Sequence, residues 1–297
     1  MQEANTPEKW AIRISHILNE VLGKDRFPVE VAPIAADVSK QLYPDDPITL
    51  VKGGTLDRFE GALVRAPRGK KGWGILYNTN IGSAGRINFT LGHEFGHYLI
   101  HRVDYPEGFN CSSEDMVRWD SRYRQVENEA NVFASYLLMP LDDFRRQISP
   151  SATPDLDALG NCADRYDVSL TAATLKWLSY TQRRAVLVVS RDGYILWSRS
   201  SKAAYRSGVF FKTANAPPRP IPTASIAAQG PNGGKSVVTA QFEQGVWFER
   251  EPCTEVALFS DRYDLTISLL QLGASPRWTE TGDSPDGLEE LRGLRWS

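Results

Sequence analysis

The chain has 297 residues, 41% hydrophobic and 24% charged, with a formal net charge of -2. This is the composition of a globular protein of about two domains, without the basic field that draws a protein to nucleic acid or an anionic membrane. No apolar run approaches the ~18–20 residues of a membrane span, "MQEANTPEKW" lacks the basic and apolar regions of a signal peptide, and three scattered cysteines, Cys111, Cys162 and Cys253, argue against a disulfide framework or a cysteine-rich zinc site; the expected location is cytoplasmic.

In chain order, "TPEKWAIRISHILNEVLG" has helical apolar spacing, with Thr6 as cap and Pro7 in the first helical position. "VEVAPIAADVSKQL" predicts a second helix. "FEGALVRAPRGKKGWGILYNTN" reads as a β-hairpin with arms "GALVR" and "GWGILYN" around the turn "PRGKKG". A helix carrying "FTLGHEFGHYLIHR" follows, then a polar stretch, residues 103–120, expected as loop. "RYRQVENEANVFASYLLM" predicts another long helix, stopping near Pro140, and "PLDDFRRQI" a short one.

"SPSATPD" is a break, and "LDALGNCADRYD" and "SLTAATLKWLSY" follow as two short helices. From about Thr181 the texture turns to β. "RAVLVVSRDGYILWSRS" is strand, Asp-Gly turn, strand, and "VVTAQFEQGVWFER" and "TEVALFSDRYDLTISLL" continue it; "NAPPRPIP" and "GPNGGK" are loops. The fold class is therefore α+β, a mainly helical front and a β-rich rear, with boundaries expected at 1–150, 151–180 and 181–297.

The chemistry concentrates in "FTLGHEFGHYLIHR", which holds three of the four histidines. On a helix His93 and His97 lie one turn apart, roughly 40° from each other, with Glu94 at roughly 100°. Ile87, Leu91, Phe95, Tyr98 and Leu99 fall on the far side as an apolar stripe. Two imidazoles on one face can bind a metal, and the glutamate beside them can take a proton from a water that the metal activates. The bland alternative is a surface helix that happens to carry histidines. His101 stands eight residues beyond His93, about 12 Å along an unbroken helix. That is too far for one metal to take both, so a hydrogen-bonded histidine at the helix end is expected.

The third ligand is sought in "VENEANVFASYLLMP". Helix geometry separates its two candidates. Val126, Ala130, Phe133, Ala134, Leu137 and Leu138 form the buried side; Glu127 sits on its edge beside Asn131, and Glu129, roughly 200° from Glu127, points to solvent. Glu127 is thus the expected third ligand, the alternative being an exposed helix charge. Asn131, one turn on, can accept the second ring N–H of a ligating histidine. The pattern resembles the glutamate, three residues, aspartate of thermolysin-like zinc peptidases. Gly92 and Gly96 cost about 1 kcal/mol each relative to alanine in a helix. With Ala130 and Ala134 as a matching small ridge, they predict that the two helices pack closely. Two nitrogens and a carboxylate suit Zn2+ best without excluding Mn2+.

Together, "FTLGHEFGHYLIHR" and, about thirty residues later, "ENEANVFASYLLMP" resemble the ImmA/IrrE family of metallo-endopeptidases, strongly over residues 50–148 and moderately through "ADRYDVSLTAATLKWL". The resemblance implies a zincin-like metallopeptidase domain (1–150), a helix-turn-helix-like segment (151–180) and a β-rich, GAF-like sensor domain (181–297). It implies His93, His97 and Glu127 as metal ligands and Glu94 as catalytic base. The implied substrate is a helix-turn-helix repressor, whose cleavage derepresses stress or mobile-element genes. The hairpin would set a strand beside the cleft for an extended peptide to pair with. No residue is assigned to the oxyanion, and Tyr98, on the back face, is not a candidate.

Two other readings stand beside this one. A DNA-binding regulator would read bases with the helix "SLTAATLKWLSY", using Lys176, Arg183 and Arg184. Against it, Leu170, Ala173, Thr174, Trp177 and Leu178 look made for packing, and phosphate binding recruits a larger basic cluster. The third reading is a metal-binding sensor that does not cut.

Overall fold

The computed structural model describes residues 6–56, 59–80, 83–112, 121–213, 216–231, 236–260 and 264–274, of which 109–112 and 121 by backbone alone. It is an α+β protein in two compact units. Of the described residues, the first holds those up to Asp143 together with Ala163–Ser169; the second holds Phe144–Cys162 and those from Leu170 onward.

In the first unit, α1 (Pro7–Leu22) starts as its sequence predicts. The Thr6 hydroxyl accepts the Lys9 N–H and Pro7 needs no partner at the first position. Its buried stripe is Trp10, Ala11, Ile14 and Leu18. Then come α2 (Val31–Leu42), β1 (Ile48–Gly54), β2 (Phe59–Arg65), β3 (Trp73–Asn78), α3 (Ala84–Ile100), β4 (Gly108–Ser112) and α4 (Ser121–Leu138). The hairpin forms as β2 and β3, antiparallel with Gly61 opposite Tyr77 and Arg65 opposite Trp73. The four strands are ordered β1-β3-β2-β4, with β1 parallel to β3.

Two expectations are corrected here. The stretch 103–120 is not all loop, because 108–112 pairs with β2 as β4; residues 113–120 lie outside the described residues. And neither hairpin arm has an open edge, since β3 is covered by β1 and β2 by β4. Among the described residues, β1 and β4 are the strands at the edges of this sheet. Neither strand announces itself in the sequence. β1 is exposed or half-buried after Ile48 and shows no clean alternation, and β4 is a five-residue edge strand, held by its backbone pairing to β2.

α5 (Leu141–Gln147) and α6 (Leu156–Tyr166) each span a boundary between the units. The second unit continues with α7 (Leu170–Tyr180), β5 (Arg184–Arg191), β6 (Tyr194–Ser200), α8 (Lys202–Arg206), β7 (Arg219–Pro220), α9 (Ile226–Gln229), β8 (Val237–Phe242), β9 (Cys253–Ser260) and β10 (Leu265–Leu272). Its sheet runs β7-β6-β5-β10-β9-β8, antiparallel throughout. The Asp-Gly turn between β5 and β6 has positive φ at both Asp192 and Gly193, as a tight hairpin of this twist requires. One face packs Val186, Val188, Ile195, Leu270 and Leu272 against Phe211 and Trp247. Of "VVTAQFEQGVWFER", only Val237–Phe242 is strand. The buried carboxylate of Glu255 is structural: it accepts from the Ile226 and Ala227 N–H, the Trp247 indole and the Ser268 hydroxyl.

The basic residues weighed for DNA contact are otherwise employed. Lys176 is buried inside the unit with Ala173, Trp177 and Leu178. Arg184 forms a two-pronged pair with Glu251 at 2.7 and 2.6 Å. Arg183 donates to the Ser151 carbonyl.

Candidate metal centre

α3 is the central helix of the first unit, buried continuously from Thr90 to Leu99. Of the expected apolar stripe, Leu91, Phe95, Tyr98 and Leu99 are buried and Ile87 is half-buried. α4 covers the helix through its own buried side, Val126, Ala130, Phe133, Ala134, Leu137 and Leu138. The glycines decide how near the two axes come. A Cβ on Gly92 would sit 3.3 Å from Ala134 Cβ, and one on Gly96 would meet Phe133 at 3.0 Å and the Ala130 backbone at 3.3 Å. Small residues on both sides thus bring α4 close enough for a glutamate to span the gap.

That glutamate is Glu127. Its Oε2 lies 3.3 Å from His93 Nε2 and its Oε1 3.4 Å from His97 Nε2, while the two Nε2 atoms are 2.9 Å apart. The three residues each aim one donor atom into a common space within 4.8 Å. Tetrahedral coordination with bonds of ~2.0–2.2 Å separates neighbouring ligand atoms by about 3.3–3.5 Å. Each nitrogen lies at about that spacing from one of the two Glu127 oxygens, and the nitrogen–nitrogen distance is a few tenths shorter. Two imidazole nitrogens and a carboxylate fit a borderline divalent ion.

Electrostatics favour the ligating forms of His97 and Glu127. Burial lowers the His97 pKa, the neighbouring His93 lowers it further, and the result is about 3, so this imidazole is neutral at neutral pH. For His93 burial also pulls down, but the hydrogen bond to Glu127 and the charges of Glu94 and Glu127 outweigh it and the net shift is upward. Burial would raise the Glu127 carboxyl, yet the hydrogen bonds to His93 and His97 hold it well below the usual carboxylate range. Glu127 is ionised, as a metal ligand must be.

Asn131, His101 and Glu129 stand behind these donors. Asn131 Oδ1 stands 2.9 Å from His93 Nδ1, where it accepts the second ring N–H and leaves Nε2 bare. His101, the residue that closes α3, is buried and hydrogen-bonded; its Nδ1 is 3.1 Å from His97 Nδ1 and its Nε2 3.0 Å from Glu129 Oε2. So Glu129 does not point to solvent, as its helical angle suggested, but holds His101. Tyr98 is turned away and donates to the Asp46 carbonyl.

With this geometry in view, the comparisons bear on the front of the chain. The family model of the IrrE N-terminal-like domain, Peptidase_M78, matches residues 55–178.

This segment is an IrrE N-terminal-like domain.

No curated protein matches the chain. The IrrE N-terminal-like domain begins just before β2, runs into α7 and contains His93, Glu94, His97, Glu127 and Asn131. Its family consists of metal-dependent peptidases, so the domain is of peptidase type. No helix among the described residues is long and apolar enough to cross a membrane.

Glu94 is fully buried in the IrrE N-terminal-like domain, and β2 shapes its pocket. A Cβ on Gly61 would lie 2.5 Å from Thr90 Cγ2 and 2.7 Å from Glu94 Oε1. Nothing in the hairpin's sequence singles out this glycine, because the close approach is between a strand and a helix thirty residues apart. Gly61→Ala is expected to push the Glu94 carboxyl and the Thr90 methyl aside, at an overpacking cost of about 1–3 kcal/mol. A misplacement of about 1 Å can cost on the order of 100-fold in rate, so peptidase kcat should fall about 10–100-fold while metal content, measured by elemental analysis, stays at the wild-type value. Unchanged kcat would show that Gly61 does not set the position of Glu94.

Proposed function

We propose that the protein is a zinc-type metallo-endopeptidase whose substrate is a helix-turn-helix transcriptional repressor of the XRE type, cut to derepress stress or mobile-element genes. The observation that carries the enzymatic part is the convergence of His93, His97 and Glu127 on one point beside a buried Glu94. In this reading His93, His97 and Glu127 hold Zn2+, with Mn2+ as the alternative ion. When bound, the ion supplies Lewis acidity, acidifying a water and polarising the scissile carbonyl. Glu94 accepts the proton of the attacking water and delivers it to the amide nitrogen as the C–N bond breaks. Asn131 fixes the ring of His93 through Nδ1. An extended substrate pairs with β4, the edge strand among the described residues and the neighbour of β2, whose Gly61 lies against Glu94.

The repressor rests on the family resemblance. So does a sensor role for the GAF-like second unit, supported by its antiparallel sheet and a cavity of about 390 Å³ lined by Phe211, Arg219, Ile221 and Trp247. The test is to incubate the full chain with a helix-turn-helix repressor encoded beside it. Cleavage at a defined bond is expected, stopped by a chelator and restored by Zn2+ or Mn2+, and the ion that restores it identifies the metal. A repressor left intact by metal-loaded protein that does cut an unfolded polypeptide would overturn the substrate and leave the peptidase. Failure on both would sink the enzymatic reading.

A further inference from the structure

Three histidines stand in a row on α3 and its cap, and the third has both ring nitrogens engaged. His101 Nδ1 meets His97 Nδ1 at 3.1 Å and His101 Nε2 meets Glu129 Oε2 at 3.0 Å. Glu129 is held in turn by Gln125, whose side-chain amide donates to Oε1 at 2.8 Å. The backbone pins His101 as well. Its N–H donates to the His97 carbonyl, and its own carbonyl accepts from Asp104 and Tyr105.

The chemistry of the end group sets every proton along this row. An ionised carboxylate can only accept, so His101 Nε2 carries the hydrogen. In a neutral imidazole the other nitrogen is then an acceptor, so His101 Nδ1 offers its lone pair and His97 Nδ1 must donate. That leaves His97 Nε2 bare, and Nε2 is the atom that faces Glu127 and His93. The other histidine, His93, reaches the same state by a different route, through the neutral amide oxygen of Asn131. We propose that His101 and Glu129 are a positioning pair for His97: a carboxylate–imidazole–imidazole row that locks its ligating tautomer and strengthens it as a donor. The inference rests on the metal-centre reading above. It also accounts for the third histidine of "FTLGHEFGHYLIHR", which lies too far along the helix to ligate and whose nitrogens are already committed.

An acceptor behind a metal-bound histidine is typically worth 10–100-fold in metal affinity. The test is a Zn2+ titration of the chelator-stripped full chain against a chromophoric competitor. The comparison set is wild type, His101→Phe, Glu129→Gln and the double variant. Wild type should bind one Zn2+ at the His93–His97–Glu127 centre. His101→Phe keeps a ring of similar size and removes both nitrogens; its affinity should fall by about 10–100-fold. Glu129→Gln should fall less, and the double variant should be no worse than His101→Phe alone, because Glu129 acts only through His101. A packing role would make the two losses add. Imidazole 15N spectra of metal-free wild type give a second readout that needs no variant, with the proton expected on Nδ1 of His97 and on Nε2 of His101. A folded His101→Phe that binds Zn2+ within twofold of wild type overturns the inference and leaves the metal centre standing. So does a proton found on Nδ1 of His101, which decides the matter if His101→Phe does not fold. A wild-type chain that binds no Zn2+ overturns both.

Discussion

Replacing Glu94 by glutamine is expected to leave the fold and the bound metal in place while kcat falls by about 10²–10⁴-fold, the range that a positioned general base contributes. Glutamine has the same shape and keeps a carbonyl oxygen, but its amide nitrogen can no longer take a proton. The side chain is fully buried, between α3 and the Gly61 segment of β2. A base-poor amide there finds no replacement from bulk buffer. The measurement is kcat on a peptide substrate together with Zn2+ stoichiometry on the same preparation. A kcat within a few-fold of wild type at full occupancy would remove Glu94 from the chemistry. Loss of metal along with loss of rate would instead make it a ligand or a structural prop.

The second large effect concerns Glu127. Glu127→Ala removes the only carboxylate among the three convergent donors. Zn2+ affinity should then fall well beyond the ~10–100-fold that loss of a supporting residue costs. A ligand that binds only the folded state stabilises it, by about 2.7 kcal/mol at a free concentration 100 times its Kd. Wild type should therefore gain melting temperature on adding Zn2+ and lose it on adding chelator, and Glu127→Ala should do neither at the same concentration. Differential scanning calorimetry with and without Zn2+ reads this directly. A wild-type-sized shift in Glu127→Ala would place the third ligand elsewhere. Because Glu129 is only two residues away, Glu129→Gln belongs in the same experiment: it should keep most of the shift, since its carboxylate faces His101 and not the donor cluster.

The two glutamates show how far the sequence reaches. A helical count separates Glu127, on the edge of the buried stripe, from Glu129, about 200° away, and the structure puts Glu127 on the histidines. The same count reads Glu129 as facing water because it knows the direction of a side chain and not what stands there. What stands there is His101, at the far end of α3. Gly92 and Gly96 could be recognised in advance as a small ridge because they recur at the helical period and match Ala130 and Ala134. Gly61 could not, because its neighbours Thr90 and Glu94 come from another element and no period connects them. The strands divide likewise. The hairpin β2–β3 and the Asp-Gly hairpin β5–β6 carry their turns in local sequence, whereas β1 and β4 exist because β3 and β2 offer them edges.

By itself, then, the sequence determined the facing of residues within each helix: His93, Glu94 and His97 around one turn, Glu127 and Asn131 around another, with the small residues that let the two helices meet. These follow from a rise and a rotation per residue that every α-helix shares. Only the tertiary structure decided the pairings between elements: His93 with Asn131, His101 with Glu129, Gly61 under Glu94, and β4 rather than the hairpin at the sheet edge. Such pairings depend on where separate elements come to rest after packing, and that is set by the sum of many contacts and not by any local repeat.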